Sequence, residues 1–269
     1  MPNVLLNEDI YIYSAFGLNI ASEICLPELS KGVGESDVYI GFGKVPQKIN
    51  SPLLKTKNIE LSQNELLFYI EGVGRFYAAK GREIIVEPCK EVDMDSIKLY
   101  LLGTALGTVA LQRGLIPVHG SAIAFDGKCI IFAGPSGAGK STLSSAFRKK
   151  GYPFISDDIS VLTESKDGSI WVQPGFPQQK LCRDSIKKLG ENIKDMKLVY
   201  EKKNKYAVPV EKGFVNEPLP LMAICEISPQ ECGFVEMTEL FGVQKLETLI
   251  RNIYRIEFLQ SFGADTDFF

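Results

Sequence analysis

Histidine is almost missing from this chain: one residue in 269. That leaves no histidine cluster for a metal site. The six cysteines, at 25, 89, 129, 182, 225 and 232, contain no C-x-x-C pair and no metal-ligand spacing. Several sit in apolar runs, so they read as reduced core residues of a cytoplasmic protein. A basic excess is also lacking. Thirty Lys and Arg face 33 Asp and Glu, the net charge is −3 and the sequence pI is near 5.5. Nothing in this balance suggests nucleic-acid binding, which usually needs a basic domain. No uncharged apolar run reaches the ~18 residues of a membrane span. The longest uncharged stretch, Leu99 to Gln112, is interrupted by Gly103, Thr104, Gly107 and Thr108 and has the pattern of a buried helix. The first residues carry no basic segment of the signal-peptide kind. The expectation is a cytoplasmic protein with no membrane or nucleic-acid partner, and with self-association into a homo-oligomer left open. Internal repeats and low-complexity segments are absent as well.

What is present is an ordinary globular composition, 45% hydrophobic and 23% charged. Residues 1–92 read as a β-rich domain. Strand candidates are Tyr11-Ile12-Tyr13, Asp37 to Phe42, and the hairpin-like pairs Asn58–Leu61 with Glu65–Ile70 and Gly74–Ala79 with Glu83–Val86. Together they predict an antiparallel meander. Asp93 or Asp95 then caps a helix over about 96–113, stopped by Gly114. Residues 93–269 form the second part. There a strand over 116–125 ends at Asp126-Gly127, a hairpin signal, so it should pair antiparallel with the next strand, 128–133. A short helix is expected within 184–197. A helix from about Val243 to Gln260 closes the chain, with Leu246, Leu249, Ile250 and Ile253 as its core-facing stripe.

After the strand Lys128–Ala133 comes Gly134-Pro135-Ser136-Gly137-Ala138-Gly139-Lys140-Ser141-Thr142. Its first eight residues fit G-x-x-x-x-G-K-[ST], the loop that cradles phosphates. Strand before and helix after supply the context this motif needs. Glycines let successive N–H groups turn inward, and the helix N-terminus adds its positive end. Lys140 would reach the β- and γ-phosphates of ATP, and the Ser141 hydroxyl would bind Mg²⁺.

Two further features lie close by in sequence. Asp157-Asp158 stand between two apolar runs, and His119 sits inside a strand. Phosphoryl transfer needs held phosphates, a metal ion and a proton acceptor. In extended backbone adjacent carboxylates point to opposite sides, so one can face the metal and one the substrate. Asp157 is placed nearer the metal. A lone strand histidine is as often a core residue as a functional one; the functional reading has His119 bonded to a carboxylate or a phosphate oxygen.

The stretch from Val118 to Leu162 resembles the catalytic core of the HPr kinase/phosphorylase family. The resemblance is carried by His119-Gly120, by Gly134 to Ser141, and by Lys150-Gly151 leading to Asp157-Asp158. The spacings also agree: fifteen from His119 to Gly134 and eighteen from Lys140 to Asp158. It implies an α/β (α+β) fold, a P-loop core with a mixed sheet behind a β-rich N-terminal domain, and it accounts for the hairpin entering the loop. It also implies that Asp158 accepts the proton, that Lys140 and His119 are catalytic and that Ser141 is a metal ligand. The family's Glu-x-Arg-Gly-Leu-Gly segment is missing; Gln179-Lys180-Leu181-Cys182-Arg183-Asp184 stands in that region. The whole chain looks more similar to HPr-kinase-like proteins of lasso-peptide biosynthesis, through short stretches such as Ser14 to Leu18, Leu26 to Leu29 and Pro174 to Pro177. That resemblance implies an ATP- and Mg²⁺-dependent serine kinase acting on a precursor peptide, at its C-terminal Ser. Its alternatives are a carrier-protein kinase/phosphorylase and a non-catalytic nucleotide-binding module. A metabolite kinase is disfavoured by the hairpin and by the lack of an Arg-rich lid.

Overall fold

The computed structural model describes residues 10–193, 196–200, 204–230 and 233–259. In chain order the first strands are β1 (Tyr11–Ala15), β2 (Leu18–Ser22), β3 (Ser30–Lys31), β4 (Val38–Phe42), β5 (Leu54–Lys55), β6 (Ile59–Leu61), β7 (Glu65–Ile70), β8 (Gly74–Ala79) and β9 (Glu83–Pro88). They form one sheet in the order β3-β1-β2-β4-β9-β8-β7-β6-β5. The hairpins β6–β7 and β8–β9 pair as expected, but the sheet is not a pure meander. β4 lies parallel to both β2 and β9. A strand so placed needs long crossovers, which hydrophobic period cannot reveal.

α1 (Met94–Tyr100), a π-helical turn at Leu101–Ala105 and α2 (Leu106–Gln112) make one continuous helix. Asp93 is its cap: its carboxylate accepts from Ser96 N–H at 2.8 Å and from the Ser96 hydroxyl at 2.6 Å. This helix covers the first sheet. Ile97, Leu101, Ala105, Leu106 and Val109 join Ile20, Ile40, Phe76 and Ile84 in one core, which also takes in Ile159, Ile253 and Phe258 from later in the chain.

The remaining elements are β10 (Ile116–Val118), β11 (Gly120–Phe125), β12 (Lys128–Ala133), α3 (Lys140–Lys149), β13 (Phe154–Ser156), β14 (Ser160–Glu164), β15 (Ile170–Gln173), β16 (Gln178–Cys182), α4 (Arg183–Lys188), β17 (Lys197–Tyr200), β18 (Lys205–Pro209), β19 (Leu219–Glu226), α5 (Val243–Arg251) and α6 (Ile256–Leu259). Seven strands form a mixed sheet, β10-β14-β15-β19-β12-β11-β13; β16-β18-β17 form a small third sheet. β11 and β12 pair antiparallel through the Asp126-Gly127 turn, both at positive φ, while β12 and β19 are parallel.

The strand expected over 116–125 is divided at His119. Its backbone is claimed by the segment after α5: His119 N–H donates to the Asn252 carbonyl and Tyr254 N–H to the Pro117 carbonyl, both at 2.7 Å. The same contacts end the closing helix early, splitting it into α5 and α6, and Gln260 lies outside the described residues. The stripe expected on this helix is met in part: Ile253 is buried and Leu249 and Ile250 are partly so, but Leu246 is exposed, and within α5 Thr248 is the buried residue. The cysteines meet the expectation in part: the five described are free, Cys129 is buried and Cys89 and Cys225 are partly buried, but Cys25 and Cys182 are exposed, and Cys232 is outside the described residues. Among the described residues no helix is long and apolar enough to cross a membrane.

Candidate functional site

One residue separates β10 from β11, and three separate β13 from β14. β10 and β14 stand at one end of the seven-stranded sheet, β11 and β13 at the other. The sheet therefore curls until its ends meet, and the meeting points are His119 and the Asp157-Asp158 turn. The turn is tied by a 2.7 Å contact between the Ser156 and Ser160 hydroxyls. Asp158 has φ +70, so the pair is not extended, and simple alternation does not set the two directions. Tertiary partners do.

Asp157 turns inward. Oδ2 accepts from the Lys180 backbone N–H at 2.8 Å, whereas Oδ1 is buried with no hydrogen-bond partner. Burial above all raises its pKa, and the Asp158 charge adds to that. The nearby Ser141 and Ser121 hydroxyls and the Lys180 N–H oppose the rise. Asp158 Oδ2 takes the Lys180 ammonium at 3.0 Å, and Oδ1 lies 3.7 Å from His119 Nδ1. Burial pushes its carboxyl up, but the cationic groups facing it, Lys180 foremost, outweigh burial and hold it well below the usual carboxylate range. His119 Nδ1 is 3.0 Å from the Asp158 carbonyl. A carbonyl only accepts, so Nδ1 carries the hydrogen. Burial lowers the His119 pKa more than Asp158 raises it, which keeps the ring neutral with Nε2 as its acceptor.

The loop between β12 and α3 has the conformation its glycines allow. Gly134, Gly137 and Gly139 all have positive φ. A Cβ on Gly134 would stand 2.6 Å from the Ile227 carbonyl, so this position admits glycine alone. At Gly137 and Gly139 a Cβ would meet nothing within 4 Å. The Lys140 ammonium donates to the Gly134 and Pro135 carbonyls at 2.8 and 3.0 Å, folded back over the loop. The Ser141 carbonyl accepts from the Gln179 amide at 3.1 Å, and Thr142 Oγ1 is 2.7 Å from Ser185 Oγ. Thus β16 and α4 brace the first turn of α3.

A cleft of about 790 Å³ brings His119, Asp158 and Gly134-Pro135-Ser136 to one surface, with Lys205, Arg251 and Tyr254 as further walls. Asp157, Lys140, Ser141 and Thr142 are not among its lining residues. Tyr254 packs close to the helix at Gly107, where a Cβ would sit 2.9 Å from its ring. The Glu226 carboxylate, at the end of β19, holds Arg251 Nε at 2.7 Å and Asn252 Nδ2 at 2.8 Å. Sequence reasoning passed over Lys180, Glu226, Arg251 and Tyr254. For Lys180 the only signal was its place in the segment that departs from the resembled family.

An open glycine loop before an α3 N-terminus fits an anionic phosphate chain. The unpartnered Asp157 oxygen beside the Ser141 hydroxyl fits a hard cation. Among the described residues there is no cluster of three or more His, Cys, Asp or Glu that could hold a metal by itself. A Mg²⁺ there would complete its shell with phosphate oxygens and water, as that ion commonly does.

No protein-family model matches the chain, and no curated protein does. Among solved structures it is similar to the Hpr(Ser) kinase/phosphatase from Coxiella burnetii, at 14% identity and a TM-score of 0.30. That match covers 45% of this chain and 65% of the other, a distant and partial likeness that spans less than two thirds of the other protein.

Proposed function

We propose that this protein is an ATP- and Mg²⁺-dependent kinase that transfers the γ-phosphoryl group to a serine hydroxyl of a peptide. The observation that carries the reading is the cleft in which Asp158 and His119 face the Gly134–Ser136 end of the loop. A protein that only bound nucleotide would have no use for an ionised carboxylate and a neutral histidine at that place. The loop amides and Lys140 would hold the phosphates, and Ser141 and Asp157 would hold Mg²⁺, which supplies charge neutralisation to the transferring group.

The lining of the cleft supports Asp158 as the base. A base must reach the acceptor hydroxyl, and Asp158 lines the cleft while Asp157 does not. In the step itself the serine oxygen bonds to the γ-phosphorus and the bond to the β–γ bridging oxygen breaks. ADP leaves with that electron pair, and the serine proton passes to Asp158. His119 steadies Asp158 through the carbonyl contact. Lys140 must leave the Gly134 and Pro135 carbonyls to meet phosphate, an exchange of one set of oxygen acceptors for another.

The acceptor is proposed to be a flexible precursor peptide of the lasso type, presenting a C-terminal Ser. A free chain end can enter the cleft without unfolding, and its carboxylate would find Lys205 on the wall. Among the aromatics of the first sheet, Tyr13, Phe68 and Phe76 are buried, and Tyr69 is exposed. The test is incubation with γ-labelled ATP, Mg²⁺ and a peptide ending in Ser, its Ser→Ala version, or HPr. Label on the Ser peptide alone is expected. Label on HPr with none on the peptide would replace this reading by a carrier-protein kinase, and no transfer with intact ATP binding would leave a binding module.

A further inference from the structure

Two successive residues of β16 reach both halves of the site. Gln179 is fully buried, and its amide donates to the Ser141 carbonyl at 3.1 Å and to Ser144 Oγ at 2.6 Å, both in the first turns of α3. Lys180, its neighbour, points to the other side of the strand and holds both carboxylates. Its backbone N–H takes Asp157 at 2.8 Å and its ammonium takes Asp158 at 3.0 Å. The Lys180 side chain is only 13% exposed and does not line the cleft. An ammonium drawn this far from water is stable only with a charged partner, and Asp158 is that partner. Asp158 in turn sits at a φ of +70, where a non-glycine residue stays only if its surroundings hold it.

We infer that Lys180 is a positioning residue: its one amide and one ammonium fix the Asp157-Asp158 pair against the phosphate loop that Gln179 braces. The small third sheet is then a part of the active centre, although no glycine motif or acidic pair marks it in the sequence. This inference rests on the phosphotransfer reading only for its effect on rate. The arrangement of groups can be tested separately, because His119 is the single histidine in the chain. Its ring bonds the Asp158 carbonyl and so reports on that residue directly.

The experiment uses the full chain as wild type, Lys180→Met and Lys180→Arg, with Lys180→Gln replacing the Met variant should that one not fold. Calorimetry with MgATP is expected to give a Kd within about threefold of wild type in every variant. The kcat for ADP release from ATP, with the Ser-ended peptide as acceptor, is expected to fall roughly 10- to 100-fold in Lys180→Met, the usual worth of a partner that orients a reacting group. Lys180→Arg should regain much of it, since a cation returns. The His119 ring proton resonances should move in Lys180→Met and move back in Lys180→Arg. A Met variant with kcat within twofold of wild type, or a His119 spectrum that does not move, overturns the positioning role. Wild-type protein that turns over no ATP would refute the phosphotransfer reading instead; the His119 spectrum alone would then decide this inference, a shift supporting it and no shift overturning it.

Discussion

Replacing Asp157 by Asn should make the protein more stable and less active at once. The carboxylate is 7% exposed, accepts one backbone hydrogen bond, and leaves Oδ1 buried without a partner. Leaving such a polar atom unsatisfied costs about 1–3 kcal/mol. Asparagine keeps the shape and keeps the acceptor for Lys180 N–H. Its new amide can donate to the Ser121 or Ser141 hydroxyls beside it. For a chain of this size each kcal/mol moves Tm by about 2–4 °C, so the gain should be roughly 2–12 °C. The assay is thermal unfolding in EDTA, where no metal compensates the charge, paired with phosphoryl transfer titrated in Mg²⁺. The variant should need more Mg²⁺ for the same rate, since the neutral amide is a poorer ligand for a hard cation. A lower Tm in EDTA would refute the reasoning: the carboxylate would then be a stabilising member of a satisfied network, and Oδ1 would not be the vacant metal ligand. A site kept unstable for the sake of its chemistry is a common trade.

Asp158→Asn should keep MgATP binding and lose transfer by ~10²–10⁴, read by calorimetry beside the labelling assay, whereas His119→Ala should cost less. Lys140→Ala should weaken MgATP binding and abolish transfer, and wild-type affinity in calorimetry would contradict the phosphate role of that loop. Gly134→Ala forces a Cβ to within 2.6 Å of the Ile227 carbonyl, so it should unfold at a lower temperature than wild type, while Gly137→Ala, with open space around it, should lose less. Asp93→Ala removes a helix cap and should cost about 0.5–2 kcal/mol at pH 7. The Ser96 side-chain hydrogen bond, with the Ser96 N–H, lowers the Asp93 pKa in the folded state. Its contribution is therefore present above the unfolded pKa and fades as pH falls through the folded one; chemical denaturation should show the Asp93→Ala deficit shrinking below about pH 4.

Local chemistry made much of this protein legible before any coordinates. The Gly134–Ser141 loop, the Asp126-Gly127 hairpin and the Gly114 stop each depend on φ or on a bond a few residues away, so the sequence alone determined them; the helix cap was narrowed to Asp93 or Asp95, and the hydrogen bonds to Ser96 decide for Asp93. The acidic pair and His119 could be singled out by type and spacing, but not their directions. The tertiary structure decided those, because the deciding partners are distant in sequence. Asn252, over a hundred residues on, divides the strand at His119. Lys180, 22 residues past Asp158, chooses which way that carboxylate faces. The parallel pairings of β4 and the open face of α5 were equally hidden, since a period of two or 3.6 residues says which side of an element is apolar and nothing about what lies against it.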